Sequence, residues 1–226
     1  MKMGCIDYAV LSNGATVMDI NSGDVIYSNF MDKEDLSRII EIMEKYPAVY
    51  EVYAVKRAFV TEYSRDNYMK ANLPKVFLED YITRFEVTDD IKQVVLEHDI
   101  EKINVNYIEE QYWEDILKDV EQAGDFEFTA GFVGNIEITA KNADKGYALE
   151  VLCQKLGIDA SEVVAFGDSG NDATMLEWAG RSYAMKNANE KAKKSAKYET
   201  ELTNGQGGVG DTINKLLNKE ERRDKC

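Results

Sequence analysis

The stretch Val163-Val164-Ala165-Phe166-Gly167-Asp168-Ser169-Gly170-Asn171-Asp172 decides the fold of this chain. Its first part, 163–166, is continuously apolar, which predicts a short β-strand that is buried on both faces. The run ends in Gly-Asp, and the Ser-Gly-Asn-Asp that follows predicts the beginning of a helix. Ligands of open α/β sheets bind at the carboxyl ends of the strands, so this turn is predicted to lie at a ligand site.

Two acidic side chains, Asp168 and Asp172, are expected to project from this turn into the same crevice. Two carboxylates that lie close together repel each other unless a cation lies between them. Oxygen ligands suit a hard ion such as Mg²⁺, which keeps water ligands and shares the phosphate oxygens of a substrate. The alternative is a plain Asx-turn and helix N-cap, in which Asp and Asn bond only the local backbone.

A third charged residue, Lys145, begins a helix that is predicted over Lys145–Leu156 and ends at Gly157 as its C-cap. A cation at a helix N-terminus opposes the helix dipole. The placement is explained if the helix end and the ammonium group together bind an anion such as phosphate. The alternative is a surface lysine whose ammonium group reaches into solvent.

Strands and helices alternate after Thr139, which predicts a parallel α/β layer. The elements predicted there are helix Lys145–Leu156, strand Val163–Phe166, helix Asn171–Ala179, strand Ser182–Met185, and helices Glu190–Ala196 and Val209–Leu217. The preceding residues instead predict an α+β unit with an antiparallel sheet. Its predicted strands are Thr16–Ile20, Asp24–Phe30, Tyr50–Glu62, Tyr81–Val87, Ile103–Ile108, Phe126–Ala130 and Asn135–Thr139, with helices after Asp32 and over Glu110–Gln122.

Composition limits the classes of protein that fit. The net charge of −15, from 42 acidic and 27 basic residues, repels nucleic acid. No apolar run reaches the length of a membrane span, and Met1–Val10 lacks the layout of a signal peptide. Three widely spaced cysteines, Cys5, Cys153 and Cys226, favour a reducing compartment. A cytoplasmic protein is expected, and its single histidine, His98, is better explained by a helix end than by catalysis.

The acidic turn is one of several segments in a recognisable order. It is preceded by Lys145-Gly146-Tyr147-Ala148-Leu149 and followed by Met175-Leu176, Ala179-Gly180 and Ala184-Met185-Lys186-Asn187-Ala188. Together these segments resemble the C-terminal signature of Cof-type haloacid dehalogenase (HAD) phosphatases, subclass IIB. Ser12-Asn13-Gly14-Ala15 is similar to the point where that family enters its cap. The resemblance implies a partial Rossmann-like core with a parallel sheet, formed by 1–15 and 136–226, and a large inserted α+β cap over 16–135.

The resemblance also implies a mechanism. In that family a core Asp attacks the phosphoryl group, and a second Asp two residues later acts as general acid and then as base. Lys145 would neutralise the nucleophile and the phosphoryl oxygens, and Asn171 would hydrogen-bond near the phosphate. Asp168 and Asp172 would hold Mg²⁺, directly or through water. These roles agree with phosphoryl-transfer catalysis, which rests on positioning and charge neutralisation.

One part of the family pattern is absent. The nucleophile stands in an Asp-x-Asp-Gly-Thr motif on the first core strand, and no such motif occurs in these 226 residues. Asp7 is followed two positions later by Ala9, and the run 6–12 resembles the third core strand instead. The first two core strands are therefore expected to be missing. The strand at 163–167 is then expected to have an open edge, which favours self-association.

The sequence thus predicts, by lineage, a Mg²⁺-dependent phosphatase of small phosphorylated metabolites whose activity is impaired in this chain. The alternative is a non-catalytic truncated remnant, or a module that binds phosphate or metal without turnover. A third explanation is a wrong gene start, in which case the full gene encodes an ordinary enzyme. A response-regulator receiver is least favoured, because its acceptor Asp is absent and the large cap has no place in it.

Overall fold

The computed structural model describes residues 6–71, 83–132 and 135–223 of the chain. The chain divides into two compact units, residues 1–143 and 144–226. Cys5 and Cys226 lie outside the described residues. Within the described parts, every helix is too short or too polar to cross a membrane.

The first unit begins with a three-stranded antiparallel sheet. Its strands are β1 (Tyr8–Leu11), β2 (Thr16–Asp19) and β3 (Val25–Ser28), which lie in the order β1-β2-β3. The two strands predicted over Thr16–Ile20 and Asp24–Phe30 correspond to β2 and β3, which pair antiparallel, and Gly23 in the turn between them has a left-handed φ of 77°. β1 pairs antiparallel with β2. Its assignment to a parallel core as the third strand stays a prediction.

A six-stranded sheet forms the centre of the first unit. Its strands are β4 (Val49–Ala54), β5 (Arg57–Thr61), β6 (Glu86–Thr88), β7 (Ile100–Tyr107), β8 (Phe126–Phe132) and β9 (Asn135–Ala140). They lie in the order β6-β5-β4-β7-β9-β8, and only β5 and β6 run parallel among these neighbours. β9 crosses the domain boundary that was predicted between residues 135 and 136. The predicted division into core and cap stays a prediction.

The prediction of one strand over Tyr50–Glu62 is wrong. Two strands, β4 and β5, occupy this segment and pair antiparallel across a tight turn. Lys56 in the turn has a left-handed φ of 63°, a conformation that is uncommon outside glycine. The sequence gives no turn residue at this point, so the alternating pattern predicted a continuous strand. The strand predicted over Tyr81–Val87 lies partly outside the described residues, and β6 begins at Glu86.

Three helices cover one face of the six-stranded sheet. They are α1 (Lys33–Lys45), α3 (Ile91–Glu97) and α4 (Trp113–Glu121), whereas the short α2 (Glu62–Asn67) follows β5. Asp32 caps α1, as predicted, by accepting from the backbone N–H groups of Glu34 and Asp35. The apolar core of the unit includes Ile39, Ile103 and Ile116. Burial of each such side chain stabilises the fold by roughly 1.5–3 kcal/mol.

The second unit contains the parallel α/β layer that the sequence predicted. Its strands, β10 (Val164–Gly167), β11 (Arg181–Ala184) and β12 (Tyr198–Glu199), pair in parallel in that order. Its helices are α5 (Lys145–Leu156), α6 (Ala173–Trp178), α7 (Glu190–Ser195) and α8 (Gly208–Arg223). α5 ends at Gly157, whose φ of 70° confirms the predicted C-cap.

The prediction that the strand at 163–166 is buried on both faces is wrong. Ala165 is buried in a cluster with Leu176 of α6, whereas Val164 on the other face is 42% exposed. β10 lies at the edge of its sheet among the described strands. On the exposed side of β10, the ring of Phe166 stacks on Tyr183 with centroids 5.3 Å apart. The apolar run therefore belongs to a strand that is covered by helices on one face only.

Candidate active site

The turn that follows β10 is closed by its own side chains. Residues 170–172 form a 3₁₀ turn with a capping box, in which the side chains of Ser169 and Asp172 each accept from the other's backbone N–H. A Cβ atom at Gly167 would lie 2.6 Å from the Cβ of Asp172. Glycine is therefore required where the strand meets the turn. The local capping that was the alternative to a ligand site is thus present in the structure.

Asp172 is buried, and its carboxylate accepts three hydrogen bonds. Oδ1 lies 2.7 Å from Nζ of Lys145, and Oδ2 accepts from the backbone N–H groups of Asp168 at 2.9 Å and Ser169 at 3.0 Å. Burial alone would raise the pKa of Asp172, but the Lys145 ammonium group and the two backbone donors outweigh it and lower the pKa. Asp172 is therefore a carboxylate at neutral pH, and both of its oxygens are engaged.

Lys145 reaches Asp172 because the two helices that carry these residues approach closely. Asp144 caps α5 by accepting from the backbone N–H of Tyr147, so the helix begins at Lys145. A Cβ atom at Gly146 would lie 2.6 Å from the carbonyl carbon of Thr174. Only a glycine at this position lets the first turn of α5 lie against α6. The ammonium group is thereby held beside the acidic turn, and the alternative of a lysine directed into bulk solvent is wrong.

Asp168 is half-buried, and its side chain has a different partner from that of Asp172. Its Oδ2 accepts a hydrogen bond of 2.7 Å from Nδ2 of Asn204, whereas its Oδ1 has no hydrogen-bond partner in the part of the chain that the structure describes. Asn187 fixes Asn204 by accepting from its backbone N–H at 3.1 Å and donating to its Oδ1 at 3.2 Å. A neutral amide, itself held by Asn187, thus orients the Asp168 side chain.

The sequence did not identify Asn204 as a site residue. It stands next to Gly205 in a glycine-rich stretch, and it is 36 positions from Asp168. Asn187 gave a partial signal, because it lies in one of the segments that resemble the family signature. No local spacing connects the two asparagines, so only the structure reveals their contact.

Asn171 lies on the exposed side of the same turn. Its Oδ1 accepts a hydrogen bond of 2.6 Å from Oγ of Ser169. The structure therefore brings together Lys145 and Asp172, and Asp168 and Asn171 belong to the same short turn. The roles of these residues in binding phosphate and metal stay predictions.

The oxygen atoms at this turn suit a hard cation. No group of three His, Cys, Asp or Glu side chains is placed to hold a metal ion among residues 6–71, 83–132 and 135–223. The side chain of Asp168 nevertheless presents one open oxygen, and Mg²⁺ commonly binds one or two carboxylates and keeps several waters. Asp172 is suited to contact such an ion through water, because both of its oxygens already accept hydrogen bonds.

His98 and Cys153 lie outside this site, and helix capping and packing account for their positions. His98 caps the C-terminal end of α3, as predicted, and stacks on Phe59 with ring centroids 5.1 Å apart. Cys153 is buried in α5, and burial raises the pKa of its thiol. A raised pKa disfavours the thiolate, so Cys153 is suited to packing and not to nucleophilic attack.

Known proteins share this sequence pattern over most of the chain. A sequence profile of the haloacid dehalogenase-like hydrolases matches residues 1–213. The chain is 30% identical over 213 residues to the 5-amino-6-(5-phospho-D-ribitylamino)uracil phosphatase YbjI of Escherichia coli, a match that covers 93% of this chain and 74% of that protein. It is 28% identical over 237 residues to the phosphatase YwpJ of Bacillus subtilis, covering 95% of this chain and 81% of that one.

Solved structures share its fold. A haloacid dehalogenase-like hydrolase from Bacillus subtilis matches with a TM-score of 0.74 and 26% identity, covering 92% of this chain and 78% of that chain. The HAD subclass IIB sugar phosphatase BT4131 matches with a TM-score of 0.70 and 20% identity, covering 93% and 76%. These likenesses confirm the predicted fold class, a Rossmann-like α/β core with an α+β cap, and support the Cof-type resemblance. The relatives that are named as phosphatases support a phosphatase function.

We predict that Asp172→Asn lowers the free energy of unfolding of the second unit by about 2 kcal/mol, because it removes the charge that pairs with Lys145 in a buried site. Native-state hydrogen exchange of the α5 and α6 amides measures this change. Glu199→Gln is the matched control, since its carboxylate pairs with Lys193 at 3.3 Å on the exposed surface. The control should change stability by less than about 0.5 kcal/mol. Equal effects of the two variants would contradict the importance of the buried pair.

The same pair predicts a pH dependence. A carboxyl group whose pKa is lowered on folding stabilises the protein above its unfolded pKa and loses this contribution as the pH falls through its folded pKa. The stability difference between wild type and Asp172→Asn should therefore be constant above about pH 5 and shrink at lower pH. Hydrogen exchange or urea unfolding at several pH values measures it. A difference that grows as the pH falls would contradict the lowered pKa of Asp172.

Proposed function

Because the chain belongs to the family of haloacid dehalogenase-like hydrolases, we propose that it derives from a Mg²⁺-dependent phosphatase of small phosphorylated metabolites. The observation that carries the proposal is the ion pair between Lys145 and Asp172, 2.7 Å long, at the turn that also bears Asp168. An ammonium group beside a turn that bears an open carboxylate oxygen suits a phosphoryl group and its cation. A cytoplasmic location is part of the same proposal.

The proposal gives a role to each residue at or beside the turn. Asp168 is the direct ligand of Mg²⁺, and Asn204 holds its carboxylate in place. Asp172 holds Lys145 beside the turn and contacts the ion through water. Lys145 neutralises phosphoryl oxygens, and Asn171 donates a hydrogen bond near the phosphate. The bound ion supplies further charge neutralisation to the phosphoryl group.

The proposal includes impaired turnover. These 226 residues contain no Asp-x-Asp-Gly-Thr sequence, so the attacking carboxylate and the general acid that the resemblance implies are not among them. Lys145, Asp168 and Asp172 can bind an anion and a cation, but they do not supply that pair of groups. The second candidate function, a module that binds phosphate or metal without turnover, rests on the same observation. A wrong gene start remains distinguishable by reading the upstream DNA for an in-frame motif.

We predict that the chain does not hydrolyse para-nitrophenyl phosphate in the presence of Mg²⁺ above the rate in buffer, because the nucleophile is absent from its sequence. Release of para-nitrophenol measures this. Turnover that is present in the wild type and abolished by Asp168→Ala would contradict the impairment and revive an active phosphatase. Turnover that persists in Asp168→Ala would point to a contaminating enzyme, and purification would remove it.

We predict that the wild-type chain binds one Mn²⁺, used as a spectroscopic substitute for Mg²⁺, and that Asp168→Asn abolishes this binding. Asn204→Ala should weaken it about 10- to 100-fold, which is typical for the loss of a residue that orients a metal ligand. Electron paramagnetic resonance of free Mn²⁺ measures the affinity in each variant. Glu199→Gln, which removes a carboxylate elsewhere in the second unit, is the control and should bind as the wild type does. Equal binding by Asp168→Asn and the wild type would contradict the proposed metal site.

We also propose self-association through the edge of β10, because this strand lacks a neighbour on one side among the described strands. Val164→Lys should shift the chain toward monomer, since a charged residue on an edge strand disfavours pairing with another chain. Light scattering over a range of protein concentrations measures the mass. Val209→Lys is the matched control on the exposed surface of α8 and should leave the mass unchanged. A wild-type chain that is monomeric at all concentrations would contradict this proposal.

A further inference from the structure

A partly open cavity of about 160 Å³ lies in the first unit, where the chain leaves β3 and β9. Asn29 and Phe30 line it from the segment after β3, and Lys141 lines it from the segment after β9. Its wall also includes the beginning of α1 and Asp125, which precedes β8. An engineered cavity of about 150 Å³ holds benzene, so this one, which we call the Asp125 cavity, has room for a compact ligand of about six non-hydrogen atoms.

A continuous series of hydrogen bonds holds the wall of the cavity in place. The carboxylate of Asp32 accepts from the backbone N–H of Asp35 at 3.3 Å, and the carboxylate of Asp35 accepts from the backbone N–H of Asp125 at 3.2 Å. Oδ1 of Asp125 accepts from Nζ of Lys141 at 2.5 Å, and the backbone carbonyl of Lys141 accepts from Nδ2 of Asn29 at 2.9 Å. Polar residues from three segments of the chain are thereby held around one space.

The side chains of this wall carry more negative than positive charge. Asp35 is buried and pairs with the guanidinium group of Arg38 at 2.5 Å, which raises the pKa of Arg38. Asp125 pairs with Lys141, and this contact raises the pKa of Lys141. Asp32 accepts only from backbone N–H groups within the part of the chain that the structure describes, so its charge has no cationic partner there. The cavity also lies in a unit in which 28 acidic residues outnumber 14 basic residues.

Two carboxylate oxygens of the wall are open to a ligand. Oδ1 of Asp32 accepts from the backbone of α1, and Oδ1 of Asp125 accepts from Lys141, which leaves Oδ2 of each without a partner among the described residues. Both aspartates are exposed. Phe30 and Phe126, which are half-buried, add aromatic surface to the same wall. Carboxylate oxygens beside aromatic rings suit an organic ammonium group, which donates N–H groups and is attracted to the faces of such rings.

We propose that the Asp125 cavity binds a primary ammonium group that is carried by a short apolar chain. The ammonium group donates to the open oxygens of Asp32 and Asp125, and the apolar chain lies against Phe30 and Phe126. An anionic ligand is disfavoured, because the wall already carries an excess of negative charge. A metal ion without an organic body is disfavoured, since within 6–71, 83–132 and 135–223 no three His, Cys, Asp or Glu side chains are placed to hold one. This site goes beyond the proposed phosphatase lineage and does not rest on it.

The test is an NMR titration of the whole chain, labelled with ¹⁵N, at neutral pH with three probes of similar size. The probes are n-butylammonium, n-butanol and butyrate, which are cationic, neutral and anionic. We expect n-butylammonium to shift the backbone amide signals of Asp125 and Phe126 and to saturate in the millimolar range, which is typical of a few contacts. Butanol should bind at least about threefold more weakly, and butyrate should give no saturable shift. Added salt should weaken the binding of n-butylammonium, because it screens exposed charges.

Two substitutions with opposite expected effects separate ligand binding from a purely structural role. Asp125→Asn removes one of the two open carboxylates, so n-butylammonium should bind about three- to fivefold more weakly. Lys141→Gln removes the cation that competes for Asp125, so the same probe should bind about three- to fivefold more tightly. Asp119→Asn is the matched control and should bind as the wild type does, because Asp119 pairs with Lys45 at 2.6 Å outside the cavity. Asp32→Asn, which keeps the N-cap acceptor, replaces Asp125→Asn if that variant fails to fold.

Four results would overturn the proposed cation site. The first is no saturable shift with n-butylammonium. The second is butyrate or butanol that binds as tightly as n-butylammonium, which would identify an anion site or an apolar site. The third is unchanged affinity in the folded Asp125→Asn and Lys141→Gln variants. The fourth is tighter binding of Ca²⁺ than of n-butylammonium at the same amide groups, which would identify a metal site. The Mn²⁺ experiment uses variants of Asp168 and Asn204 in the second unit, so failure of one proposal leaves the other open.

Discussion

The buried carboxylate of Asp172 is the constraint on which the geometry of the second unit depends. A carboxylate that loses its water must regain an equivalent set of donors, or it becomes protonated or forces the fold open. Here the ammonium group of Lys145 and two backbone N–H groups of the turn supply them. The two backbone N–H groups belong to the turn after β10, so their hydrogen bonds to Asp172 hold this turn closed. The ammonium group belongs to the first residue of α5, so its ion pair with Asp172 holds the beginning of α5 against α6. This geometry requires the glycines at 167 and 146, because a side chain at either position would occupy the space in which these contacts form.

Asp168 and Asp172 look equivalent in the sequence, but they have different hydrogen-bond partners in the structure. Asp172 is saturated by donors, and its charge is balanced within the fold. Asp168 is oriented by the neutral amide of Asn204, and a cation is the second partner that we propose for it. A phosphoryl group that approached the turn would meet Lys145 already fixed in place, and little reorganisation would be needed to stabilise it. The same sequence pattern therefore contains one residue, Asp172, that closes the turn and one, Asp168, whose carboxylate keeps an open oxygen.

The sequence predicts those structural features that depend on interactions between residues a few positions apart. The apolar run before Gly167 predicted β10, and the caps Asp32 and Gly157 predicted the ends of α1 and α5, because each effect acts within a few residues. The prediction of one strand over Tyr50–Glu62 failed because the chain turns at Lys56, which adopts a left-handed backbone although no glycine, asparagine or proline signals a turn there. The contact between Asn204 and Asp168 spans 36 positions and depends on how β11 and α8 follow β10. Such contacts have no local pattern, which is why the acidic turn was identified and its neutral partner was not.

The two units accommodate a buried carboxyl group in different ways. Asp172 is balanced by a full positive charge, so its surroundings can accept an anion without an excess of negative charge. Glu51 is held by two tyrosine hydroxyls and an amide instead of by a cationic group. A buried carboxyl group can thus be accommodated by an ion pair or by neutral hydrogen-bond donors, because both replace the hydrogen bonds that are lost with water.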